Sequence, residues 1–154
     1  MPTGLYTETL QEIRKRSGGR RESGAVWGGL PGPLQDEQTA SRLYMFHDLC
    51  DDAARRGYVE LSEQAKFLLY RALASEGLRV VAAIHTHPTR WVGLSATDRR
   101  NQITSRVGSW SIVVPRYGRR PWKLTDMGVH LRTDDGWRQI PSVDIQNHFL
   151  VVGE

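Results

Sequence analysis

His85-Thr86-His87-Pro88 and, a few residues on, Ser95-Ala96-Thr97-Asp98 gather two imidazoles, a hydroxyl and a carboxylate in one short stretch. On an extended segment, residues i and i+2 point to the same side. His85 and His87 can therefore aim two ring nitrogens at one point, and Asp98, in the first turn of a following helix, can add an oxygen. Two imidazoles and a carboxylate are an open ligand set. They hold a catalytic zinc ion through three protein donors and leave a fourth position for water, whose pKa then falls to about 7. Hydrolysis at such a site also needs a general base and a donor for the developing oxyanion. Ser95 suits the second role and Glu22, just ahead of Gly24-Ala25-Val26-Trp27-Gly28-Gly29, suits the first. Each piece has an ordinary alternative. A His-x-His pair can be structural, Ser95-x-x-Asp98 also spells a capping box, and Glu22 beside Arg21 can be a surface carboxylate. Their joint occurrence, in a workable order, favours the chemical reading.

The elements that must carry these groups can be read from periodicity and punctuation. Tyr6, Leu10 and Ile13 share one face of a helix over Leu5 to Lys15, which Ser17-Gly18-Gly19 breaks. "ESGAVWGGL" reads as a strand ending at Pro31-Gly32-Pro33, and Arg42 to Leu49 as another strand. Ser62 caps a helix with Glu63 in its first turn, Ala65, Leu68, Leu69, Ala72 and Leu73 facing inward, and Gly77 as its stop. Leu78 to Ile84 is a buried strand by its continuous apolar run, and it leads straight into His85. Ser95 caps a helix expected to reach about Val107, with Ile103 and Val107 inward. Trp110 to Val114 is a strand closed by Pro115. Val129 to Arg132 and Trp137 to Ile140 form a hairpin around Thr133-Asp134-Asp135-Gly136. The expected class is α/β (α+β), one domain over 1–154, with a mixed sheet and helices packed against it.

The chain has 154 residues, 39% hydrophobic and 25% charged, which suits one globular core. It holds no apolar run long enough to span a bilayer. Its first residues lack the apolar stretch of a signal peptide, and Cys50 is the only cysteine. These features predict a cytoplasmic protein with no membrane partner. Cys50 lies among Asp48, Asp51 and Asp52, which raise a thiol's pKa, so it is not expected to be a nucleophile. His47, His130 and His148 lack metal spacing and are expected to be structural or surface residues. The formal charge is +4, carried partly by the pairs Arg20-Arg21, Arg55-Arg56, Arg99-Arg100 and Arg119-Arg120. Such pairs can meet phosphates or an acidic protein surface. They are scattered, and no RNA-binding, helix-turn-helix or zinc-finger signature accompanies them, so nucleic acid is not the expected partner.

His85-Thr86-His87-Pro88 followed after seven residues by Ser95-x-x-Asp98 resembles the signature of the JAMM (MPN, JAB) zinc metallopeptidases. "ESGAVWGG", "SWSIVVPRYG" and "GVHLRTDDGW" resemble other parts of compact bacterial members, so the likeness runs over roughly Leu5 to Ile140. The resemblance implies a JAB/MPN-type domain, a curved mixed β-sheet flanked by helices and related to the cytidine deaminases. A deaminase itself is disfavoured, because Cys50 alone cannot build the paired-cysteine zinc motif. The resemblance further implies Zn2+ on His85, His87 and Asp98, with Glu22 as the base that passes a proton to the leaving amine and Ser95 holding the tetrahedral intermediate. It also implies an isopeptidase or peptidase acting after the C-terminus of a ubiquitin-like protein, for precursor processing or deconjugation. Members of this kind resemble enzymes of bacterial antiviral conjugation systems, whose activating and conjugating enzymes would be further partners. A narrow tail would fit a channel lined by Gly28, Gly29 and Gly93, with Trp91 either walling that channel or packed on the core. The alternatives are a non-catalytic MPN scaffold or protein-interaction module, which has no need of all five polar residues, and a basic nucleic-acid-binding module.

Overall fold

A computed structural model describes residues 1–32, 37–49 and 60–149. Pro33, Cys50, Asp51, Asp52, Arg55 and Arg56 lie outside the described residues. Helix α1 (Thr3–Ser17) is followed by strands β1 (Gly24–Pro31) and β2 (Gln38–Met45) and the helical turn α2 (Phe46–Leu49). Helix α3 (Glu63–Ser75) precedes β3 (Arg79–Thr86), the short helix α4 (Ala96–Arg100) and β4 (Trp110–Val114). The hairpin β5 (Gly128–Thr133) and β6 (Gly136–Gln139) and the short α5 (Ile145–His148) complete the described elements. The strands form one mixed sheet in the order β2-β1-β3-β4-β5-β6, in which only β3 and β4 run parallel. No helix among the described residues is long and apolar enough to cross a membrane.

Alternation along the strands sends side chains to two layers. Leu5 and Ile13 of α1 pack with Trp27, Ile84, Ile112, Val114 and Val129 on one face. Ala65, Leu69 and Leu73 of α3 pack with Val26, Phe46 and Val80 on the other. Leu69 and Ile13 are fully buried, and each such side chain contributes about 1.5–3 kcal/mol. The Trp27 indole reaches the α1 layer, where its Nε1 donates to Thr9 Oγ1 at 2.8 Å. The mixed sheet with flanking helices is as expected, and Ser62 caps α3 by accepting from Ala65 N at 3.1 Å.

Three expectations need correction. The strand expected over Arg42 to Leu49 begins earlier, at Gln38, and gives way at Phe46 to helix. The pairing with β1 runs out at Ala25↔Met45, and Phe46 packs into the α3 layer as the chain turns to helix. Leu68 lies 41% exposed on the outer face of α3. The helix after Ser95 stops at Arg100, and Val107 is half exposed. Beyond it, tertiary bonds hold the chain: Arg106 Nη2 donates to Val80 O at 2.7 Å and to Gln38 Oε1 at 2.6 Å.

Candidate metal centre

Strand β3 ends the buried part of the sheet and delivers both histidines to its rim. Ile84 packs into the α1 layer, so His85 points the opposite way, toward α4. The Nε2 atoms of His85 and His87 stand 3.2 Å apart. Helix α4 brings the third donor, with Asp98 Oδ1 3.3 Å from His85 Nε2 and Oδ2 3.3 Å from His87 Nε2. Among the described residues, these three form the one His/Cys/Asp/Glu group whose donor atoms converge, all within 4.8 Å. Two ligands about 2.0–2.1 Å from a tetrahedral zinc ion lie about 3.3–3.4 Å apart. The observed separations fit that edge length, and the donor types suit zinc. His85, His87 and Asp98 can hold a metal ion.

The surroundings prepare the donors. His87 Nδ1 lies 3.1 Å from the Trp91 carbonyl. A carbonyl only accepts, so Nδ1 carries the hydrogen and Nε2 is left to present its lone pair at the cluster. Burial alone would lower the His87 pKa. The Asp98 carboxylate and the Trp91 carbonyl, with Glu22 adding a weaker field, outweigh it and raise the value. Burial would raise the Asp98 pKa, but hydrogen bonds from His85, His87 and Ser95 hold it well below the usual carboxylate range. The centre is therefore a negative carboxylate held among donors, ready for a cation.

Ser95 and Asp98 also form the capping box the sequence allows. Ser95 Oγ accepts from Asp98 N at 3.1 Å, and Asp98 Oδ2 accepts from Ser95 N at 2.6 Å. The cap and the metal centre are one device, because the box fixes the rotamer that carries Asp98 to the histidines. The capping bond uses a lone pair of Ser95 Oγ and not its O–H proton.

Glu22 stands outside the converging donors. Gly24 is opposite His85 in the antiparallel β1–β3 register, and Ser23 and Thr86 exchange hydrogen bonds through Thr86 N to Ser23 O and Ser23 N to Thr86 Oγ1. Continuing that register by two residues sets Glu22, half-buried, across from His87, in keeping with its field at that ring.

An open hollow adjoins the centre, with Ala83, His85, Asp98, Asn101 and Ser111 in its lining. Its wall is not the one foreseen. Gly28 and Gly29 lie inside the sheet, where a Cβ would meet Leu73 and Tyr44 or the Thr39 carbonyl. Trp91 is 54% exposed and stacked on His87, with centroids 5.2 Å apart and planes at 14°. It is therefore a rim residue rather than a core aromatic, and Gly93 lies under its ring.

Two features escaped the sequence reading. The turn Arg116–Gly118 contains the only positive-φ residues other than glycine among those described, Arg116 at 51° and Tyr117 at 56°. Their backbone N–H groups donate to Thr89 O and His87 O at 2.9 and 2.8 Å. This strained turn clamps the backbone at His87, one of the three converging donors. Pro115 and Gly118 mark a turn in the sequence, but nothing there tells which carbonyls it holds. His130, expected to be structural, is buried near the centre. Its Nδ1 lies 3.3 Å from Ser111 O, and its Nε2 has no partner among the described residues. Burial, aided by the neighbouring His85 and Arg99, pushes its pKa down to about 4, so no second positive charge forms beside the cation site at neutral pH.

No protein-family model matches the chain. A stretch of 71 residues, 46% of the chain, is 32% identical to a probable metalloprotease of Sinorhizobium fredii. The match spans 43% of that protein's length, less than half of it. Among solved structures, a protein of Desulfitobacterium hafniense superposes over 99% of this chain and 90% of its own, at a TM-score of 0.63 and 16% identity. A protein of Salinibacter ruber does so over 91% and 88%, at 0.60 and 16%. A JAB1/MPN domain protein of Archaeoglobus fulgidus aligns at a TM-score of 0.45 and 17% identity, covering 98% of this chain and 95% of its own, below the level at which a common fold follows. The chain shares its fold with the first two proteins and a segment of sequence with the metalloprotease.

Proposed function

We propose that the chain is a zinc metallopeptidase of the JAMM type, which cleaves after the C-terminus of a ubiquitin-like protein. The observation that carries the proposal is the convergence of His85 Nε2, His87 Nε2 and the Asp98 carboxylate at tetrahedral edge lengths beside an open hollow. The segment shared with a probable metalloprotease supports the reaction class. The ubiquitin-like substrate, and a place in a bacterial antiviral conjugation system, rest on the motif resemblance.

When bound, a zinc ion on two imidazoles and a carboxylate supplies the Lewis acidity that makes water nucleophilic near neutral pH. The chain's own groups do the rest. Glu22, across from His87, accepts the proton of the attacking water and delivers it to the leaving amine. The Ser95 hydroxyl donates to the oxygen that gains charge as the carbonyl is attacked. The Ser95 backbone N–H, donating to Asp98 Oδ2 at 2.6 Å, helps keep Asp98 ionised. The Trp91 carbonyl keeps the His87 lone pair directed at the centre.

The test is zinc per chain by elemental analysis, in the wild type and in His85→Ala, followed by cleavage of ubiquitin-like fusions. About one zinc in the wild type and none in the variant is expected. Wild-type protein without zinc after reconstitution would leave the histidine pair structural and favour the scaffold reading.

A further inference from the structure

Away from the metal centre, three arginines from separate parts of the chain line one hollow: Arg14 in the last turn of α1, Arg20 after Gly18-Gly19, and Arg119 beyond the strained turn. Gly18 and Gly19 complete the lining, so among the described residues no carboxylate lines the hollow. Two other arginines are ion-paired, Arg16 with Glu12 and Asp48 and Arg42 with Glu76. Among the described residues Arg14 and Arg20 have no acidic partner. The negative end of the α1 dipole accounts for a cation at Arg14. It does not account for Arg20, beyond the helix, or for Arg119, from another segment.

Arg119 is held in place before any partner arrives. Its Nε and Nη2 both donate to Gly19 O, at 2.9 and 2.7 Å, which reduces the entropy lost on binding. The hollow is also fixed relative to the metal centre. Arg119 directly follows the turn that binds the His87 and Thr89 carbonyls, and Arg20 lies two residues before Glu22.

Guanidinium groups recognise carboxylates and phosphates. Three guanidinium-bearing side chains around one open hollow can each meet a carboxylate, which suits a run of acids better than a single small anion. No aromatic side chain lines it, so it offers no platform on which a base could stack. We propose that this arginine hollow docks an acidic segment, a run of Asp or Glu, of the protein that the enzyme cleaves. Only the identity of the occupant as substrate rests on the peptidase reading.

The experiment is a fluorescence-anisotropy titration of labelled decaglutamate with the full chain, untreated and after metal chelation, at low and raised salt. Wild type is expected to bind at low salt and to weaken as salt rises. Arg14→Glu/Arg20→Glu, which removes no ion pair among the described residues, is expected to weaken binding by at least about tenfold. Glu22→Gln is expected to bind like wild type. Absence of wild-type binding at low salt, or equal binding by the double variant, overturns the proposal. So does single-stranded DNA of equal charge binding more tightly through the same arginines. Decaglutamate binding needs no metal, so loss of the peptidase reading would appear separately, as a chain without zinc.

Discussion

Ser95 carries two roles that substitution can separate. In the structure its Oγ accepts from Asp98 N at 3.1 Å, while its backbone N donates to Asp98 Oδ2 at 2.6 Å. Ser95→Ala removes the first bond and keeps the second, so the expected loss of stability is that of one N-cap, about 1 kcal/mol. Ser95→Gly also deletes the hydroxyl, but glycine is tolerated at an N-cap to within a few tenths of a kcal/mol. If the hydroxyl donates to the developing oxyanion, both variants lose the same transition-state contact, and one such donor is worth about 10²–10³ in rate. The two substitutions should therefore differ in stability and agree in rate. The assay is single-turnover cleavage of a ubiquitin-like fusion with saturating zinc, beside urea denaturation and zinc affinity by chelator competition. A Ser95→Gly enzyme with near wild-type rate would refute the oxyanion role and leave Ser95 as a cap that aims Asp98.

Other expectations follow from the same geometry. Glu22→Gln should retain zinc and lose at least about a hundredfold in rate; zinc content and turnover measured on one preparation check both, and full activity would remove Glu22 as the base. His130 titrates lower in the fold, about 4, than its ordinary value near 6.5. The unfolded chain thus binds its proton first as pH falls, and stability declines from about pH 6.5 toward 4. Worked through linkage, wild type should lose about 2–3 kcal/mol between pH 7.5 and 4.5 relative to His130→Leu. Urea titrations of chelator-treated protein measure that difference, and one independent of pH would show that the ring takes up its proton equally in the folded and unfolded chains. Gly118 has φ +67° and an added Cβ would lie 2.8 Å from Ile13 Cγ2. Gly118→Ala should therefore cost about 1–3 kcal/mol and weaken zinc binding through the His87 carbonyl, whereas unchanged zinc affinity would show that the turn does not position His87.

What the sequence made legible is what local geometry sets. Trp110 to Val114 is a strand to the residue, since a short apolar run closed by Pro115 has little freedom. Ser62 caps α3 as its position implies. His85-x-His87 and Ser95-x-x-Asp98 were readable because strand alternation fixes one spacing and a helix's first turn fixes the other. The errors fall where a distant partner decides. Arg106 anchors to Val80 and Gln38, which a helical pattern running to Val107 could not reveal. The His87 hydrogen, the Trp91 stack and the turn at Tyr117 likewise depend on contacts between segments.

Glu22 tests that division most sharply, because its place depends on the register between β1 and β3. A slip of one residue would turn every β1 side chain to the other face, replacing Glu22 across from His87 with Ser23 or Arg21. The register shifts at Trp27/Gly28 in the β1–β3 pairing and at Gly28/Gly29 in the β1–β2 pairing. Both glycines sit where a Cβ would collide, one with Leu73 and Tyr44, the other with the Thr39 carbonyl. The glycines expected to line a substrate channel instead fit the irregular, closely packed end of β1, whose other end carries Glu22. Their bearing on catalysis is through strand register: a bulky residue at Gly29 should disturb the β1 pairing and the alignment of Glu22 while leaving His85, His87 and Asp98 chemically unchanged.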